Sequence, residues 1–136
     1  MKQKNHGSLL IEAMIAMLVF AVGVLGLVAL QGKLQAFNID SGLRLEASML
    51  ASEISGMAAA DPNNVGCYVI PQGTCADVNA DNFTDSWVLL VAGELPNATT
   101  TASYNTSNRQ YTLTINWRRS HESTAHQLQV ITQLGM

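Results

Sequence analysis

The chain has 136 residues, 48% of them hydrophobic and only 12% charged, with a net charge of −3. Soluble domains usually carry about 25% charged residues, so one very apolar segment joined to an ordinary polar domain is expected. The acidic balance, with no basic stripe, leaves no electrostatic footprint for a nucleic-acid partner.

Residues 1–7 read MKQKNHG, short and basic. Residues 8–30 follow as SLLIEAMIAMLVFAVGVLGLVAL, whose single charge is Glu12. At 1.5 Å per residue this run reaches about 35 Å, enough to cross a hydrocarbon core of about 30 Å. Lys2 and Lys4 precede it and favour a cytoplasmic N-terminus, with the remainder facing outward. An ordinary cleaved secretion signal has a shorter apolar core and a small-residue cleavage site, and no such site follows Leu30. A plain signal anchor explains the length but leaves Glu12 unexplained. A carboxylate in a membrane helix costs about 2.5–3.5 kcal/mol near the centre and less near an end. Snorkelling to the headgroups is one account of Glu12, and a functional role is the other.

Residues 31–60 continue the helix without proline and turn amphipathic. Leu43, Ala47, Leu50, Ile54 and Met57 alternate steps of four and three, which predicts a core-facing stripe. Arg44, Glu46, Ser48, Ser52, Glu53 and Ser55 fall off it. Asp61-Pro62 ends the helix, and residues 61–136 form a globular domain. Cys67 and Cys75, both beyond the apolar run, fit a disulfide in an oxidising compartment. It would close a short loop and contribute about 2.5 kcal/mol on the chain-entropy model. Phe83, Trp87, Leu90 and Val91 predict a short helix over 82–95. Strands follow at 100–104, at 109–118 with Tyr111, Leu113, Ile115 and Trp117 alternating, and at 125–134 with Leu128, Val130 and Thr132 on one face. Turns are expected at 106–108 and 120–123.

The basic tip, Gly7, then Ser8-Leu9-Leu10-Ile11-Glu12 resembles the class III signal of type IV prepilins. The resemblance implies cleavage by prepilin peptidase between Gly7 and Ser8, N-methylation at Ser8, and an acidic fifth mature residue at Glu12. The family usually has Phe where this chain has Ser8. The new amine at Ser8 is cationic, and inside a fibre it needs a counter-charge that Glu12 of the same or a neighbouring subunit can supply. Such a pair sets axial register where apolar packing alone does not. Gly23 and Gly26 permit close helix approach or local unwinding, or are ordinary membrane glycines.

The tract VGVLGLVALQ, the cysteine pair after the helix, Asp85 with Trp87, Leu95-Pro96 and the late strand ending in Trp117 are similar to PilV-type minor pilins. This likeness implies an α+β pilin-like fold, a long N-terminal helix on a three- to four-stranded antiparallel sheet. It implies a minor pilin in assembly or priming of a type IV pilus, serving motility or adhesion. The partners would be other minor pilins, major pilin subunits, prepilin peptidase and the inner membrane. The subunit would be single-pass in that membrane before assembly and in the surface fibre afterwards. A minor pseudopilin of type II secretion shares the signal and fold and is the nearest alternative.

Other chemistry is weaker. Asp77, Asn79, Asp81 and Asp85 have oxygen-ligand spacing for calcium, which would suit a tip adhesin, but Asn82 replaces the loop glycine and Val88 the bidentate Glu. Helix capping explains the same residues. His121, Glu122 and His126 miss the spacing of a zinc-protease helix. Asn82, Asn97 and Asn105 begin glycosylation sequons that polar loops also explain. No nucleophile elbow or phosphate loop is present, so no enzyme activity, metal or cofactor is expected.

Overall fold

The computed structural model describes residues 6–135, with side chains from Leu9 onward. Helix α1 runs His6–Ala60, and a 3-10 segment spans Pro62–Tyr68. Helix α2 is Val78–Glu94, and strands β1, β2 and β3 are Thr99–Asn105, Gln110–Trp117 and His126–Gln133. The chain divides into two compact units, one ending at Ser41 and one beginning at Gly42.

In the first unit α1 is exposed along Leu9–Ile39. One helical span, Leu9–Ala60, is long and apolar enough to cross a membrane. None of its most apolar stretch is buried within the chain.

The second unit is an α+β domain in which the C-terminal half of α1 packs on a three-stranded antiparallel sheet of order β1-β2-β3. That is the layout expected from the sequence, with three strands. Alternation of apolar and polar residues in β2 buries Tyr111, Leu113, Ile115 and Trp117 and turns the intervening residues outward. A strand with period two has no other way to present one apolar face to a helix. Leu128, Val130 and Thr132 share the inner face of β3 and are half-buried.

The helix stripe differs from expectation in two places. The buried row is Ala47, Ala51, Ile54 and Ala58, with Leu50 and Ser55 beside it. Met57 is exposed and Ser55 is buried, the reverse of the sequence reading. A seven-residue repeat drifts by about 20° per heptad against a straight helix. By the third turn that drift has carried Met57 to the rim of the buried face, and Ala58 has taken its place. The side chains at 47, 51 and 58 are small, and the row is completed by Ile54.

Helix α2 starts four residues before the predicted position because Asp77 caps it. Its carboxylate accepts from Asn79 N at 2.9 Å and from Ala80 N at 3.5 Å. An Asp side chain that satisfies these otherwise orphan amides sets the first turn. Trp87 and Val91 are buried, Phe83 half-buried, and Leu90 exposed, so Leu90 leaves the predicted core. After α2 the chain reverses at Asn97, whose φ of 50° is left-handed. Asn tolerates that conformation better than most residues. Its Nδ2 donates to Arg118 O at 2.9 Å, and Arg118 N donates to Pro96 O at 2.9 Å. These bonds hold the start of β1 beside the end of β2.

Candidate functional site

Two regions carry the residues singled out in the sequence. The first is the exposed apolar half of α1. Glu12 lies on it, exposed, among Leu9, Leu10, Ile11, Met14 and Ile15, all of them exposed as well. At 100° per residue, Glu12, Ala16, Val19, Gly23 and Gly26 share an arc of about 80°. Met14, Met17, Leu18 and Leu25 occupy the opposite side. Between Glu12 and Gly26 that face carries mostly small side chains, and Leu30 and Leu34 continue it. A Cβ added at Gly23 or Gly26 would meet nothing within 4 Å. Among the described residues, then, no contact inside the chain requires glycine there. Both lie in unbroken helix. Gly7 and Ser8 fall within α1, but their side chains lie outside the described residues, as do residues 1–5 of the expected leader.

The second region is the loop between the helices. Cys67 and Cys75 form a disulfide. Its loop is tight: a Cβ on Gly66 would stand 3.2 Å from Thr74 O, and one on Gly73 would stand 3.3 Å from Gly66 O. The absence of side chains at both positions lets the two strands of the loop approach. Thr84 Oγ1 donates to Cys67 O at 2.9 Å, and Tyr111 OH donates to Tyr68 O at 2.7 Å. The loop is thus fastened to α2 on one side and to β2 on the other. Burial raises the Tyr111 phenol well above its ordinary value. Burial also raises Tyr68, with the charges of Asp61 and Asp77 acting in the same direction.

The calcium-spaced residues do not form a loop. Asp77 caps α2, while Asn79, Asp81 and Asp85 are on its helical turns. Positions 79 and 81 diverge by about 200° around the axis, so their oxygens do not converge. Asp81 accepts from Gln72 Nε2. Among the described residues no three His, Cys, Asp or Glu side chains are grouped to hold a metal ion. The capping account, rather than the ligand account, fits Asp77.

His121 lies in the β2–β3 turn, and His126 opens β3. The His126 ring stacks on Trp117 with centroids 5.6 Å apart. Its Nε2 is 3.0 Å from Glu122 Oε2, and Arg119 Nε donates to Glu122 Oε1 at 2.9 Å. Arg44 of α1 approaches His126 Nδ1 at 3.5 Å. Donation from Arg119 chiefly, and the contact with His126, outweigh burial and lower Glu122 to about 2. This cluster, linking α1 to the sheet's last turn, was not foreseen, because its members are separated by up to 82 positions in the chain.

Comparison with protein-family models, with curated proteins and with solved structures returns no match.

Proposed function

We propose that this chain is a subunit of a type IV pilus-like fibre, a minor pilin of the PilV type acting in fibre assembly or priming. The observation that carries this reading is the carboxylate of Glu12, exposed on a long apolar helix that nothing among the described residues covers. A soluble domain would bury such a helix; a membrane or neighbouring helices can cover it instead. The small-residue face around Glu12 supports close packing against other subunits' helices. The domain that begins at Gly42 has a core of its own, running from Ala47 to Leu134.

In this reading the leader 1–7 is removed in the cytoplasm and the helix stays as the assembly element. Cleavage between Gly7 and Ser8 frees an amine. The amine of one subunit and Glu12 of the same or an adjacent subunit neutralise each other once water is excluded, and an unpaired carboxylate there would be costly. The pair therefore rewards one axial register and penalises slippage. No step requires a cofactor.

Mass spectrometry of the protein from cells with active prepilin peptidase is expected to show a chain beginning at methylated Ser8. A chain still beginning at Met1 would remove the reading. Glu12→Ala is expected to leave the protein in the membrane while sharply lowering its recovery in sheared fibres. Normal recovery would separate Glu12 from assembly.

A further inference from the structure

Three sequons, each an Asn followed two residues later by Ser or Thr with no proline between, stand outside the fibre reading. The fold treats them differently. Asn82 is exposed, but Thr84 is buried, and its Oγ1 donates to Cys67 O at 2.9 Å. Both residues lie on α2, so reading that hydroxyl would require the helix to open. Asn97 is committed at its nitrogen: Nδ2 donates to Arg118 O at 2.9 Å, one of the bonds that hold β1 beside β2.

Asn105 differs in both respects. It ends β1, and Asn105, Thr106 and Ser107 are all exposed in the turn to β2. Its Oδ1 accepts from Ser107 N at 2.9 Å, an Asx turn. Asn108 Oδ1 closes the other side of the turn by accepting from Gln110 N at 3.2 Å. The turn is therefore built from amide groups and uses no hydroxyl. Among the described residues neither Asn105 Nδ2 nor Ser107 Oγ has a hydrogen-bond partner. The two groups a sequon needs are free here, and at neither of the other two.

We propose that Asn105 is a site of N-linked glycosylation. The proposal rests on the outward-facing domain of the fibre reading. Nucleotide-activated sugars are cytoplasmic, so on the outer side the donor is a membrane lipid that carries a sugar through a diphosphate. In the transfer a bond forms between Asn105 Nδ2 and the anomeric carbon of the sugar. The bond from that carbon to the diphosphate oxygen breaks, and its electron pair leaves with the lipid diphosphate. One Nδ2 proton passes to a base of the transferase. As that proton leaves, negative charge builds on Oδ1. The Ser107 N–H already points at this oxygen and stabilises the charge where it develops. The Ser107 hydroxyl, unused by the fold, is the group the transferase reads. Asn108 and Arg109 are exposed beside it, so a sugar projects from the turn without displacing the core.

Mass spectrometry of the chain recovered from its own cells tests this. Cleavage at Glu94 and Glu122 releases residues 95–122, which hold Asn97 and Asn105 but not Asn82. That fragment is expected to be heavier by a glycan, with the added mass on Asn105. Asn105→Gln and Ser107→Ala are each expected to lose it, while Ser107→Thr and Asn82→Gln keep it. Ser107→Ala retains the backbone bond to Asn105, so its loss reports recognition of the hydroxyl and not folding of the turn. An unmodified fragment from chains whose Cys67–Cys75 bridge has formed would overturn the proposal, because the domain has then reached the oxidising side without receiving a sugar. Sugar on Asn97, or linked through oxygen at Thr106 or Ser107, would overturn it as well. Chains with both cysteines reduced would overturn the outward-facing reading, and this proposal with it. An unmodified Asn105 on a chain that begins at methylated Ser8 removes the modification alone and leaves the fibre reading standing.

Discussion

The indole N–H of Trp87 in α2 donates to the backbone carbonyl of Leu50 in α1 at 3.0 Å, in a fully buried setting. One side chain therefore fills the core and also ties the two helices at a defined height. Trp87→Phe keeps an aromatic ring but loses the bond and part of the volume. A loss of about 2 kcal/mol is expected, combining a net hydrogen bond with a partly collapsed cavity. Denaturant titration in mild detergent, followed by near-ultraviolet circular dichroism, measures it. An unchanged midpoint would mean that the bond contributes nothing.

Ser55 is buried, and its Oγ has no hydrogen-bond partner. It stands on a helix face where every neighbour in the row is apolar. Ser55→Ala removes an unsatisfied hydroxyl and improves helix propensity, so a gain of about 1 kcal/mol is expected. A rise in the thermal midpoint reports it. Met57→Ser, at the exposed rim, is expected to change stability by less than about 0.5 kcal/mol. The sequence pattern alone would rank these two substitutions in the opposite order.

The Cys67–Cys75 bridge spans a sequence separation of 8. The chain-entropy relation assigns such a loop about 2.5 kcal/mol. Replacing both cysteines with serine is expected to lower stability by about that amount while β2 and α2 stay folded. Backbone amide exchange locates the damage: faster exchange confined to 66–76 fits a local staple, whereas exchange spread through β2 would assign the loop a larger role.

Glu122 supplies an acid limb. Its ordinary value is 4.5, and in the folded chain it is lowered to about 2, first by donation from Arg119. A lowered carboxylate contributes stability above the unfolded value and loses it as protons are forced on in the folded state. Stability is therefore expected to fall between about pH 4.5 and 2, and Glu122→Gln is expected to flatten that limb. Tyr111 acts at the other end. Its raised phenol holds a proton that the unfolded chain releases, so stability declines as pH rises above about 10. Tyr111→Phe should weaken that decline. Melting curves across both ranges decide each case.

Arg109 adopts a left-handed φ of 54° in the β1–β2 turn. Such a conformation strains a side chain that has a Cβ, and glycine relieves it at some entropic cost. Arg109→Gly is expected to raise stability by up to about 1 kcal/mol. A clear loss would mean that the Arg109 side chain holds the turn in some other way.

Much of this protein could be read from its residues in order. The apolar run and Glu12 are matters of composition and length, and β2 announces itself through strict alternation at Tyr111, Leu113, Ile115 and Trp117. Asp61-Pro62 ends α1 for a covalent reason, since proline has no amide to donate. Those features depend on neighbours along the chain, so a linear pattern holds them.

Tertiary structure decided the remainder. Whether Ser55 or Met57 enters the core depends on where the sheet meets a helix whose repeat drifts against seven. Of the four residues spaced like calcium ligands, Asp77 caps α2 and the other three lie on its helical turns. Arg44, Glu122 and His126 met only through folding. The cover that Ile70 gives Ala102 at one edge of the sheet was also a matter of three dimensions. Local periodicity chooses the elements, but burial and edges belong to surfaces that exist only after distant segments have come together.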